Sequence, residues 1–147
     1  MSGAQDDVQR VLAELGEGLR VQRATLRVRS DEAVFPIAAE WLAPGAQSIR
    51  DTPRLDMARQ PVVLKMQAGA SQVVEDDCAT ATDDAGYHEM RELFGGLKAQ
   101  IVTACRDEDG AITALLSVHD LNAPRVWSEA EQRRARIAAD RLAELTG

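Results

Sequence analysis

The chain has 147 residues, 45% of them apolar and 28% charged, with a formal net charge of −7. Those values fit one globular domain over residues 1–147 and exclude the disordered, collagen-like and coiled-coil classes. The acidic balance argues against nucleic acid or an anionic membrane as partner, no apolar run reaches the roughly 18 residues of a membrane span, and Met1 to Gln9 does not read as a secretory leader.

Val8, Val11, Leu12, Leu15 and Leu19 form one apolar helical stripe. Gly16 and Gly18 are expected to weaken that helix and end it. Ala24, Leu26 and Val28 alternate with Thr25, Arg27 and Arg29, which predicts a half-buried strand. Ser30-Asp31-Glu32 reads as a turn, and Val34 to Leu42 as a second strand closed by Ala43-Pro44-Gly45. Pro36 places the start of that strand at an edge or a bulge. Trp41 is expected in the core or at an interface.

Thr52 to Gln67 reads as a helix with Thr52 as N-cap and Pro53 at its first position; Pro61 interrupts the pattern, which leaves a broken helix or a helix followed by a strand. A short strand follows at Ser71 to Val74, then a polar loop from Glu75 to Gly86. Seven acids against one base lie between Glu75 and Glu92, and a solvated loop is preferred there to a cation site because EF-hand spacing is absent. Tyr87 to Phe94 reads as a short helix stopped by Gly95-Gly96.

Lys98 to Cys105 and Ala111 to His119 are two apolar strands, and Asp109-Gly110 between them predicts a tight hairpin. In the second, Ile112, Ala114, Leu116 and Val118 share one face, while Thr113, Leu115, Ser117 and His119 share the other. Both faces are largely uncharged, so both are expected to be covered. Asn122-Ala123-Pro124 is a turn, and Ser128-Glu129-Ala130-Glu131 is a capping box opening a last helix that runs to about Leu145. Trp127 is expected to staple that helix, and Arg125 to serve a structural ion pair. The order predicts an α+β domain whose central antiparallel sheet is flanked by N- and C-terminal helices.

Three strings resemble the GAF domain, a PAS-related ligand-binding sensory module, and its phytochrome-like subgroup in particular. They are Ile37-Ala38-Ala39-Glu40-Trp41-Leu42-Ala43-Pro44-Gly45-Ala46-Gln47-Ser48, Lys98-Ala99-Gln100-Ile101-Val102, and Leu115-Leu116-Ser117-Val118-His119-Asp120 with Pro124-Arg125-Val126-Trp127. The similarity spans nearly the whole chain and is clearest after Val73. In bilin-binding members a Cys-His pair precedes the strand lysine by ten residues, and its thiol attaches the chromophore. Here the matching pair is Tyr87-His88, with His88 ten residues before Lys98. A phenol cannot form the thioether, so the resemblance implies a pocket without covalent bilin attachment. The histidine of the third string also faces the chromophore in those members, and it matches His119.

The resemblance thus makes Tyr87, His88, His119, Ser117 and Thr103 the candidate ligand-binding residues. The ligand is an unidentified small molecule, and no cofactor, metal ligand or catalytic residue is assigned. Non-covalent haem or tetrapyrrole binding stays open, as does a small enzyme with a histidine general base. A third reading is an interaction module with a filled core. Resemblance to GAF dimers implies a homodimer through the terminal helices and a separate output protein.

Cys78 follows Glu75-Asp76-Asp77, and neighbouring carboxylates raise a thiol pKa. Cys105 reads as a small buried apolar residue. The chain holds no CxxC and no zinc-spaced cysteine and histidine set, so free thiols in a cytoplasmic chain are expected. The cysteine pattern of the GAF reductases of free methionine sulfoxide is not found. A serine triad, P-loop, dinucleotide fingerprint and HExxH are likewise absent.

Overall fold

The computed structural model describes residues 3–30, 35–50 and 57–146. Helix α1 (Gly3–Leu19) leads into β1 (Arg23–Val28) and β2 (Ile37–Leu42); a 3-10 turn (Met57–Arg59) and α2 (Pro61–Gln67) follow. Then come β3 (Gln72–Glu75), α3 (Ala85–Leu93), β4 (Ala99–Arg106), β5 (Ile112–Asp120) and α4 (Glu129–Thr146). The strands form one antiparallel sheet in the order β2-β1-β5-β4-β3. This is the α+β arrangement the sequence predicts.

The sheet carries a core on each face. On one, α1 and α4 pack together over Leu26, Ile101, Leu116 and Val118. On the other, α2 covers Val102 and Leu115, and α3 contributes Tyr87 and Met90 to a third cluster with Phe94 and Leu97. No helix among the described residues is long and apolar enough to cross a membrane.

Several local expectations change. Helix α1 runs through Gly16 and Gly18, and it ends at Arg20, which adopts a left-handed φ of 57°. Val21 N–H donates to Gly16 O at 3.0 Å and Arg20 N–H to Glu17 O at 3.2 Å, a Schellman closure. Gly16 serves packing, because a Cβ there would lie 2.2 Å from Cζ3 of Trp41. At Gly18 a Cβ would meet only the guanidinium of Arg134, the movable end of an exposed side chain.

The two glycines therefore predict opposite outcomes. Gly16→Ala is expected to lose about 1–3 kcal/mol to overpacking. Gly18→Ala is expected to be neutral or to gain up to about 1 kcal/mol of helix propensity. Urea denaturation of both variants checks this; equal effects would remove the packing role of Gly16.

Pro61 opens α2 at its first turn, where a missing N–H costs nothing, and the extended Gln60 before it separates α2 from the 3-10 turn at Met57–Arg59. Thr52, Pro53 and the turn at Asp31-Glu32 lie outside the described residues. Helix α3 begins two residues earlier than expected, since Asp84 Oδ1 accepts from Tyr87 N–H at 2.8 Å and caps it. Ile112 packs with Leu115 and not with Leu116. The register shift at Cys105/Arg106 turns it to the other face.

The punctuation of the second half is as predicted. Gly95, Gly96 and Gly110 have φ of 84°, 78° and 84°. The capping box closes with Glu131 N–H to Ser128 Oγ at 3.1 Å and Ser128 N–H to Glu131 Oε1 at 2.9 Å. Arg125 has a structural role: it donates to Leu19 O at 2.8 Å, pairs with Glu131 and Asp120, and lies 4.2 Å over the Trp127 ring.

Candidate functional site

Strand β1 is the main departure from the predicted pattern. It is buried on both faces, so Arg23, Thr25 and Arg27 lie under the α2 and α3 side of the sheet. The register sets Arg23 opposite His119, Thr25 opposite Ser117 and Arg27 opposite Leu115. On the other flank of β5, Gln100 stands opposite His119 and Val102 opposite Ser117. A row of polar groups thus runs across the middle of a covered sheet.

Above that row lies a small cavity of about 30 Å³. Its floor is Arg27, Gln100, Val102, Leu115, Ser117 and His119, and its roof comes from α2, α3 and the 3-10 turn, including Gln60, Met90 and Phe94. The volume suffices for one or two water-sized groups. Gln60 Oε1 is buried and has no hydrogen-bond partner among the described residues.

His119 is 2% exposed, and its Nδ1 accepts from Arg23 Nε at 2.8 Å. An arginine N–H can only donate. Nδ1 is therefore the lone-pair nitrogen, and the neutral ring carries its proton on Nε2. Burial, then the nearby charges of Arg23 and Arg27, push the His119 pKa well below 6.5. At neutral pH the ring is an uncharged donor with its basic nitrogen engaged, which suits ligand binding and not general-base work.

Arg23 also donates Nη1 to Gln47 O at 3.0 Å and Nη2 to Phe94 O at 2.8 Å. Arg27 donates Nη1 to Phe35 O at 2.8 Å. Burial lowers both guanidinium pKa values to about 10, opposed by the Glu40 carboxylate, so both stay charged.

The candidate residues divide. His119 and Ser117 line the cavity; Tyr87, His88 and Thr103 do not. Tyr87 is fully buried and donates its phenol O–H to Glu75 Oε1 at 2.7 Å, the same oxygen that accepts from Gln100 Nε2 at 2.7 Å. Burial and this partner raise the phenol pKa. His88 places Nε2 2.7 Å from Thr82 O and Nδ1 3.1 Å from Arg91 Nη1. The carbonyl fixes the proton on Nε2, and both ring nitrogens are engaged away from His119. Thr103 lies on the α4 face of β4 and accepts from Gln72 Nε2 at 3.0 Å, while Gln72 also donates to Gln132 O at 2.9 Å.

Both cysteines are free and buried. Burial pushes the Cys78 thiol up to about 12 and that of Cys105 to about 11, so neither is a thiolate at neutral pH. The acidic carboxylates act locally: Asp77 Oδ1 accepts from Ala79 N–H, and Asp76 Oδ1 from Trp127 N–H.

The sequence reading missed Arg23, Arg27, Gln60 and Gln100. One signal was present. The strand alternation puts Arg23 and Arg27 on the face opposite Ala24 and Leu26, and β5 is apolar on both faces.

The family model of the GAF domain matches residues 4–144. No curated protein matches the chain. Among solved structures, the cyanobacteriochrome TePixJ GAF domain is similar with a TM-score of 0.82 at 21% identity, covering 99% of this chain and 89% of that one. The far-red absorbing dark state of JSC1_58120g3, with bound biliverdin IXα, gives 0.78 at 19% identity over 99% and 90%. The GAF domain region of a putative membrane protein from Geobacter sulfurreducens PCA gives 0.75 at 13% identity over 97% and 91%. These likenesses establish a shared fold.

A tetrapyrrole does not fit the residues present. A drug-sized ligand needs roughly 300–1,000 Å³, against the 30 Å³ that this cavity offers among the described residues. The Tyr87 phenol is buried on Glu75.

Proposed function

The chain belongs to the GAF domain family, and on that premise we propose that it is a sensory domain admitting a small molecule to the cavity between the sheet and α2–α3. His119 and Ser117 would be its polar contacts. The observation that carries this reading is the fixed tautomer of His119: a buried imidazole holds Nε2–H ready in a mostly apolar cavity. Ligand sites combine an apolar lining with a few oriented polar groups in this way. A solved neighbour with bound biliverdin supports a binding role for the fold, though not that ligand for this chain.

Tyr87 and His88 take a supporting part in this reading. Tyr87 holds Glu75, Glu75 holds Gln100, and Gln100 is a cavity wall. The rival reading, an enzyme with a histidine general base, is disfavoured because Arg23 occupies the Nδ1 lone pair. A homodimer through α1 and α4 and a separate output protein complete the proposal.

Native mass spectrometry with an absorption spectrum tests it. A dimer is expected, without a visible absorption band, and with a small-molecule adduct that His119→Ala loses. A Soret-like or bilin band would overturn the ligand class. A monomer would remove the dimer, and an adduct unchanged in His119→Ala would displace the site.

A further inference from the structure

We propose that the cavity is a site for a small oxyanion of carboxylate type, held by Arg27, His119 and Ser117. The inference deepens the sensory reading and rests on it. It starts from two buried guanidiniums that lack a carboxylate hydrogen-bond partner among the described residues. Arg23 and Arg27 bring two buried positive charges to one sheet face. Among the described residues, the carboxylate that acts on both is Glu40. Its oxygens are already committed, Oε1 to Ser48 Oγ at 2.6 Å and Oε2 to Ile49 N–H at 2.9 Å.

Among the described residues, every hydrogen bond of the two guanidiniums goes to a neutral acceptor: an imidazole nitrogen and three backbone carbonyls. Both lie near the Phe94 ring, 5.6 Å and 5.7 Å from its centroid. Burying a charge without an opposite partner in contact is costly, and among the described residues no carboxylate hydrogen-bonds either guanidinium.

The cavity is where an anion would meet Arg27. Arg27 lines it, and of the five N–H donors a guanidinium carries, one has a partner among the described residues. His119 adds Nε2–H as a donor of fixed direction. Ser117 adds a hydroxyl with no described partner. Thr25, opposite Ser117 in the register, has a buried hydroxyl that is also unpartnered. A converging set of donors with net positive charge selects an anion over a neutral molecule. The guanidinium fork matches the two oxygens of a carboxylate. Gln60 Oε1, buried and unpartnered, supplies the opposite polarity and would accept from a water or hydroxyl carried with the anion. The volume of about 30 Å³ limits the occupant to a formate-sized group, either free or as the end of a longer molecule.

The test follows the ring nitrogens of His119 by NMR while the protein is titrated with formate, acetate and butyrate. Formamide and acetamide serve as neutral isosteres. Saturable shifts are expected with the carboxylates, at least tenfold tighter than with the amides. Arg27→Gln is expected to weaken carboxylate binding at least tenfold and to abolish that preference. Ser117→Ala, a smaller perturbation, is expected to weaken it several-fold and keeps the test open if Arg27→Gln does not fold.

Formate or acetate binding more tightly than butyrate identifies a free small anion; the reverse order identifies the end of a larger ligand. Amides binding as tightly as carboxylates would overturn the anion inference and leave the small-molecule reading standing. Carboxylate affinity unchanged in both variants would place the anion elsewhere and overturn the site. No saturable shift with any probe would overturn both readings.

Discussion

Arg23→Ala is expected to remove about 3 kcal/mol or more of stability, a large share of the roughly 5–15 kcal/mol typical of a domain. Arg23 is fully buried and ties three parts of the chain: His119 on β5, the Gln47 carbonyl after β2, and the Phe94 carbonyl at the end of α3. Truncation leaves buried acceptors without donors at about 1–3 kcal/mol each, and it opens a void beneath Phe94. Removing a buried charge offsets part of this. Arg23→Lys keeps the charge, but one ammonium cannot reproduce a fork that reaches three acceptors, so it is expected to recover less than half of the loss. Urea denaturation with matched m-values measures both variants. A loss below about 1 kcal/mol for Arg23→Ala would mean that the three acceptors find water, and that the guanidinium does not organise this face.

This same residue shows where the sequence was legible and where it was not. Elements set by local chemistry were readable: the Ser128 capping box, the Asp109-Gly110 hairpin and the Gly95-Gly96 stop each depend on residues within a few positions. The antiparallel sheet followed from them. Arg23 and Arg27 escape the sequence pattern because charged side chains are almost never fully buried unless paired. Their partners are backbone carbonyls of Gln47, Phe94 and Phe35, which no side-chain pattern announces.

Gly16 escapes it for a related reason. Its role depends on Trp41 from a distant strand, while its local propensity signals a helix end. Within the site, Ser117 and His119 were visible through the alternation of β5. Thr103 falls on the wrong face by the same period-2 rule once Gln100 is set opposite His119. Tyr87 and His88 match the expected helix, but Glu75, Thr82 and Arg91 engage them outside the cavity wall.

Acidification from pH 7 to pH 5.5 is expected to cost the wild-type chain about 1.4 kcal/mol more than the His119→Gln variant. Burial and the charges of Arg23 and Arg27 hold the folded His119 well below 6.5, whereas the unfolded chain titrates near 6.5. Below that pH the unfolded state binds a proton that the folded state refuses. The stability from this group is therefore complete above about pH 6.5 and is lost as pH falls toward the folded value. Each pH unit in that window is worth about 1.4 kcal/mol. Glutamine is the right comparison because its carbonyl accepts from Arg23 and its amide still donates toward the cavity, without titrating. Subtracting the two profiles removes whatever the two chains share. Parallel profiles would mean that His119 accepts a proton in the folded state. That protonation would displace the Arg23 N–H from Nδ1, and the fixed donor on which ligand recognition depends would be lost.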